Sequence, residues 1–218
     1  MAAGFVRQSV GGAFATAYTL TFSAASAAGS LLVAGIQHQA GALTSVVDNT
    51  GTAWTKVIDT LDVNTAGSGG RVGIWIRENA PSGVSSLVIT AGAQSAINAN
   101  VTEWSGMAVS SSVRTSATDY NSGSTTKLLT PVTAVAGDVV VSIFGYSQGS
   151  TRLDTLDAGD FTSLTGANIS TTWMSAAYDL VATSGSVGPT WTLSASGGNH
   201  GQATVVLKPL VANTAPAA

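Results

Sequence analysis

Two histidines, His38 and His200, and eleven carboxylates are the whole acid–base and metal-ligating kit of this 218-residue sequence, which has no cysteine. Disulfide scaffolds, thiolate zinc sites and cysteine nucleophiles are thereby excluded. His38 sits in Gln37-His38-Gln39 and His200 in Asn199-His200-Gly201. Both settings are polar and loop-like, where a lone histidine is a hydrogen-bonding surface residue. Glu78 and Glu103 are the two glutamates. A glycosidase needs two carboxylates about 5–10 Å apart in one cleft. Nothing in the sequence brings these two together, and a solvated strand end or an ion pair with Arg77 is the expected role. No His-Glu-x-x-His helix and no Gly-Lys-Ser/Thr phosphate loop occurs, and no nucleophile elbow is assigned. The expectation is a protein without catalysis, catalytic residues, metal or cofactor.

Two acidic clusters still offer hard oxygen ligands. Asp48 and Asn49, with the backbone near Thr50 and Gly51, form a cation-loop candidate. The same four residues make an ordinary Asx-turn, which is preferred because one Asp-Asn pair supplies too few ligands. Asp154, Asp157 and Asp160 concentrate more charge in a short stretch, as a cation loop or as a solvated loop. The five tryptophans, Trp54, Trp75, Trp104, Trp173 and Trp191, pose a different choice. An exposed Trp on a β-face stacks on a sugar ring, whereas a buried one fills a core or an interface. Trp75 is the strongest candidate for exposure, with Arg77 beside it on the same face. The pair is assigned to a subunit interface or to glycan stacking.

The elements that must position these residues are strands. Charged residues are 9% of the chain, AVILMFWYC residues 44%, and the net charge is −3. That balance folds, and it lacks the clustered Lys and Arg that a nucleic-acid surface requires. Val, Thr, Ser and Gly dominate, and short apolar runs end in turn residues. In Arg71–Arg77, Val72, Ile74 and Ile76 share one face, leaving Gly73, Trp75 and Arg77 on the other. Leu31–Ile36 and Val139–Phe144 are apolar on both faces and predict central, doubly covered strands. Phe14, Tyr18, Leu20 and Phe22 mark another strand. Val33, Ile74, Ile76, Leu87, Ile89, Val101, Val141, Ile143, Leu193 and Val205 are the expected core. The fold class is an all-β, antiparallel two-sheet β-sandwich, jelly-roll-like, with approximate internal duplication.

The duplication is visible as an echo. Ala28-Gly29-Ser30-Leu31-Leu32-Val33 returns as Ala136-Gly137-Asp138-Val139-Val140-Val141. Ile74-Trp75-Ile76-Arg77-Glu78 returns as Ala176-Ala177-Tyr178-Asp179-Leu180, and each copy leads to a Ser-Gly turn, Ser82-Gly83 or Ser184-Gly185. Two tandem small sandwiches would carry such a pattern. One domain over 1–210 with halves 1–106 and 107–210 is preferred, since no Pro-rich or charged linker divides them. Residues 211–218 predict a loose tail. No basic-then-apolar leader opens the sequence, and no run reaches the ~18 apolar residues of a membrane helix.

With these strands laid out, the chain resembles a family of β-sandwich modules found in phage virions and bacterial surface proteins. The resemblance rests on four stretches: Ala28–Gly35, Thr44–Thr55 (with Val46-Val47-Asp48-Asn49-Thr50-Gly51-Thr52-Ala53-Trp54), Val72–Ala80 and Val101–Gly106. It implies a structural or binding module with no catalytic residues to carry over. The function expected is a virion structural protein of a bacteriophage, a capsid decoration or minor tail protein assembled in the host cytoplasm. Its partners would be other virion proteins in the capsid or tail lattice and further copies of itself as a homo-oligomer, with neither nucleic acid nor membrane. The alternative is a carbohydrate-binding or adhesin module that binds a cell-surface glycan.

Overall fold

The structure is a computed structural model that describes residues 2–39, 42–60, 71–122, 126–128, 131–147, 154–157, 159–169, 172–193 and 199–210. The expected tail, 211–218, lies outside the described residues. Every element described is a strand. The first half holds β1 (Gly4–Thr21), β2 (Ser30–His38), β3 (Leu43–Asp48), β4 (Thr55–Asp59), β5 (Arg71–Ala80) and β6 (Ser86–Ser105). The second holds β7 (Val113–Ser122), β8 (Thr126–Leu128), β9 (Val132–Ala134), β10 (Val139–Ser147), β11 (Asp154–Asp157) and β12 (Thr162–Ile169). It continues with β13 (Thr172–Leu180), β14 (Gly185–Val187), β15 (Thr190–Leu193) and β16 (Asn199–Leu207).

The halves repeat one topology. The large sheet of the first runs β1-β6-β2-β5-β4, and that of the second runs β7-β16-β10-β13-β12. The strand orders match element by element, with β12 taking the place of β4. The doubly apolar runs Leu31–Ile36 and Val139–Phe144 become β2 and β10, the central strand of each sheet, as their sequence requires. Even the register repeats. Leu32 lies opposite Arg77 and Glu103, and Val140 lies opposite Asp179 and Val206. Gly29 and Gly137 open these strands with φ of 81° and 92°. The Ala-Gly echo is the sequence trace of that left-handed turn.

Period-2 alternation then sorts each central strand between two cores. Leu31 and Val33 join Val72, Ile74 and Ile76 against Val139, Val141, Ile143 and Val205 of the other half. The two large sheets thus pack face to face, making the antiparallel sandwich. Leu32, Ala34 and Ile36 point the opposite way, into a second core with Leu20, Val46, Trp54, Trp75, Leu87 and Ile89. That outer core exists because β1 and β6 are long enough to leave the large sheet and fold over its back. Their register shifts between Ala15 and Ala17, and beyond it Tyr18–Thr21 pair with Ser86–Ile89 while β3 pairs the same stretch of β6. Such an irregularity is how one strand serves two layers. In the second half short separate strands do the same work: β11-β15-β8 and β14-β9, covering Val140, Phe144, Tyr146 and Ala177.

All ten expected core residues are buried. The first strand begins at Gly4 rather than near Phe14. Arg7-Gln8-Ser9-Val10-Gly11-Gly12 shows no alternation because close packing selects its glycines: a Cβ on Gly12 would come within 2.7 Å of the Ile97 carbonyl oxygen and of Ile169. Rings seal the junction of the halves, with Phe5 stacked on Tyr178 at 5.2 Å and Trp104 edge-on to both.

Candidate functional site

The first half carries a cleft of about 340 Å³ on the edge of its outer core, lined by Thr44, Ser45, Trp54, Lys56, Asp59 and Trp75 among others. The strands place these groups in a simple way. β3 folds over the large sheet and supplies Thr44 and Ser45. The turn after it delivers Trp54, and β4 then sets exposed Lys56 at the rim and buried Asp59 beneath it, with Trp75 of β5 forming the floor. Asp59 is backed by a fully buried histidine: His38 Nε2 lies 3.3 Å from Asp59 Oδ2. The arrangement presents the Lys56 ammonium and the edges of two largely buried indoles, with Asp59 buried behind them. It suits a small polar ligand with an apolar face.

Asp48 and Asn49 do not leave oxygens for a cation. Asp48 Oδ1 accepts from the Thr50 N–H (2.9 Å), the Thr50 hydroxyl and the Thr52 N–H. Its Oδ2 accepts from Trp54 Nε1 at 3.2 Å and faces Arg77 Nε at 3.5 Å. Asn49 clamps the neighbouring turn, accepting from the Ser85 and Ser86 N–H groups and donating to the Gly83 carbonyl. This is the Asx-turn alternative, built to fasten β3 and Trp54. Burial pushes the Asp48 carboxyl upward, but the donors from Thr50, Thr52 and Trp54 outweigh it and hold its pKa below the ordinary value.

Trp75 is 5% exposed, which corrects its assignment to an open face. Alternation placed it correctly away from Ile74 and Ile76, but β3 and the folded-over part of β6 cover that second face. Arg77, its neighbour, is turned to Asp48. Residues that the sequence suggested for separate roles, Asp48, Asn49 and Arg77, thus meet around one turn. Trp104 and Trp191 are fully buried as well, and Trp173 is half-buried and stacked on Tyr146.

Both histidines were expected on the surface, and both are fully buried in strands. His38 closes β2 above Asp59, and His200 lies on β16 opposite Tyr146. The glutamates find other partners than Arg77. Glu103 pairs with Arg7 and accepts from Ser30 Oγ (2.7 Å) and the Ala27 N–H (2.9 Å). Glu78 accepts from the Ser112 N–H. Each is structural in geometry.

One string escaped the sequence reasoning. Gly145-Tyr146-Ser147-Gln148-Gly149 has the Gly-x-Ser-x-Gly form of a nucleophile elbow. Ser147 closes β10 and accepts a hydrogen bond from Gln39 Nε2 at 3.1 Å. An elbow needs a strand followed by a helix, and residues 148–153, where that helix would begin, lie outside the described residues. Of the other acidic cluster, Asp160 is exposed, and the side chains of Asp154 and Asp157 lie outside what is described. No group of three or more His, Asp or Glu side chains converges among the described residues.

Comparison with protein-family models, with curated proteins and with solved structures gives no match to this chain.

Proposed function

We propose that this chain is a phage virion structural protein, a capsid decoration or minor tail protein that works by assembly. The resemblance of its strand-and-turn motifs to virion and surface modules suggests the class. The observation that carries the proposal is the placement of exposed apolar side chains. Leu180 and Leu210 are exposed and border a groove of about 280 Å³ with Ala2, Ala3, Val181 and Pro209. Exposed Val135 lies in the turn that supplies Gly137 and Asp138 to the same groove. Exposed Val109 follows Ala108, whose N–H bonds to the Lys208 carbonyl. Large apolar side chains grouped at one end of a sandwich favour burial against a neighbour. Few charges would have to leave water on contact, since only 9% of the chain is charged.

The test is stoichiometry. Purified particles should contain the protein in many copies, and Leu210→Asp with Val109→Asp should abolish incorporation while the free protein keeps its Tm. Absence from particles, or full incorporation of the double variant, overturns the proposal.

A carbohydrate-binding module is the second reading, favoured by the cleft with Trp54, Trp75, Lys56 and Asp59. Glycan-array binding that Lys56→Ala weakens, together with absence from particles, would decide for it.

A further inference from the structure

The register shared by the two halves makes positions 77 and 179 equivalent, since each lies opposite the fifth residue of its echo run, Leu32 or Val140. In the first half the position holds a cation, the Arg77 guanidinium, which neutralises buried Asp48. In the second half it holds Asp179. This side chain is 6% exposed and has no hydrogen bond or ion pair among the described residues. Two adjoining clefts, of about 280 and 300 Å³, are both bordered by Asp179 and by Asp160.

A carboxylate that keeps only part of its hydration and has no protein donor or counter-charge is disfavoured, and a second carboxylate in the same cleft adds to the cost. Burial, and then the charge of Asp160, push the Asp179 pKa above its ordinary value. A nine-tenths-buried side chain with no protein partner among the described residues, its oxygens open to a cleft at the place where its structural twin is a cation, points to a cation from solution.

We infer that the Asp160–Asp179 cleft binds a hard divalent cation, Ca²⁺, in the position that the Arg77 guanidinium fills in the other half. Oxygen is the only ligand chemistry on offer. Two carboxylates supply up to four oxygens, and the hydroxyls of Ser186 and Thr190 stand in the same lining. Water completes the shell on the side where Asp160 is exposed. Six to eight oxygens at relaxed angles suit Ca²⁺, while Mg²⁺ demands a tighter octahedron than this open cleft presents.

The experiment uses the full chain, stripped with chelator and titrated with CaCl₂ against NaCl of equal ionic strength. A site of the open, two-carboxylate kind should bind in the range of about 10⁻⁴–10⁻³ M. Saturation at about 5 mM should raise Tm by about 3–6 °C beyond the salt control. Asp160→Asn and Asp179→Asn should each abolish that rise. Asp179→Asn should also raise Tm in chelator, because it removes the unneutralised charge, so loss of the response is distinguishable from failure to fold. Asp179→Arg should restore the pairing of the first half and leave Tm indifferent to Ca²⁺. The inference is overturned by a Tm that CaCl₂ moves no more than NaCl does. It is equally overturned by a calcium response that survives in both Asn variants. Neither result bears on assembly into particles.

Discussion

Gly35 and Ile143 hold the same position in the two halves, and they touch: a Cβ built on Gly35 would fall 2.2 Å from Ile143 Cδ1. Two residues on, Gln37 and Gly145 repeat the relationship in reverse, with a Cβ on Gly145 coming within 2.6 Å of Gln37 Cγ. Equivalent positions meet each other only close to the axis that relates two halves. Side chains there must pack against their own counterparts, and two of equal bulk would collide. This chain breaks the symmetry at both places, setting a large side chain of one half into the glycine gap of the other. The duplicated sheets therefore interlock. Nearby, Asn98 donates to Gln37 Oε1 (2.6 Å) and to Thr172 Oγ1 (3.1 Å), tying the halves through buried polar groups.

Gly35→Ala should consequently destabilise, although alanine is the better strand residue. Overpacking against buried Ile143 costs about 1–3 kcal/mol, more than the roughly 0.5–1 kcal/mol that removing a glycine returns. The sharper test exchanges the pair, Gly35→Ile with Ile143→Gly. Urea unfolding should show the exchanged protein more stable than the sum of the two single variants allows, with a coupling of at least about 1 kcal/mol. Simple additivity would mean that the two positions do not pack against each other.

The echo of Ala28–Val33 in Ala136–Val141 made the duplication and the central strands legible, because the turn glycines and doubly apolar runs are dictated locally. What stayed hidden was the covering of each sheet's outer face. Alternation distinguishes two faces but does not say that both are covered, and Trp75 is buried only because β3 and β6 fold over its face. His38 was hidden for the same reason. A polar residue at a strand end is solvated unless another segment closes on it, and here Asp59 arrives from β4. The Asx-turn at Asp48 was readable because it depends on neighbours four residues away. Its partners Trp54 and Arg77 were both singled out in the sequence, but their meeting there was not foreseen.

Asp48 and Asp179 should respond to pH with opposite signs. The folded pKa of Asp48 lies below its unfolded value of about 3.9. Its stabilisation is thus fully present above that value and is lost as pH falls through the folded pKa. Asp48→Asn should flatten the acid limb of a stability–pH profile, and leave Trp54 without its acceptor and Arg77 without its counter-charge. Asp179 is raised. Its charged form opposes folding above the folded pKa, and that penalty is relieved as pH falls towards the unfolded value. In chelator, Asp179→Asn should remove the relief. Urea midpoints from pH 7 down to about pH 3 for both variants check the two signs.

Trp75→Ala is an unsuitable probe of ligand binding, because the ring belongs to the core. Its removal should cost about 3–5 kcal/mol through the cavity it leaves. Lys56 is exposed at the rim of the same cleft. Lys56→Ala should stay within about 0.5 kcal/mol of the parent in stability. Comparing the two by thermal unfolding separates core from rim, and a Trp75→Ala protein as stable as the parent would contradict the packing described.

Glu103 provides the last test, because a carboxylate beside aromatic strand positions invites a catalytic interpretation that its surroundings oppose. It is 3% exposed, paired with Arg7 and held by the Ser30 hydroxyl and the Ala27 N–H. Those donors fasten the turn that leads into β2. Removing the carboxylate with Glu103→Ala should leave buried donors unsatisfied and cost about 3–5 kcal/mol. Glu103→Gln keeps the shape and should cost less, about 1–3 kcal/mol, through weakened bonds to Arg7 and Ser30. A double-mutant cycle with Arg7→Ala should return a coupling of about 1 kcal/mol or more. Parallel assays on polysaccharides and peptidoglycan should show no turnover for parent or variant. Hydrolysis by the parent that Glu103→Gln abolishes without loss of stability would make Glu103 a catalytic acid and overturn its structural role.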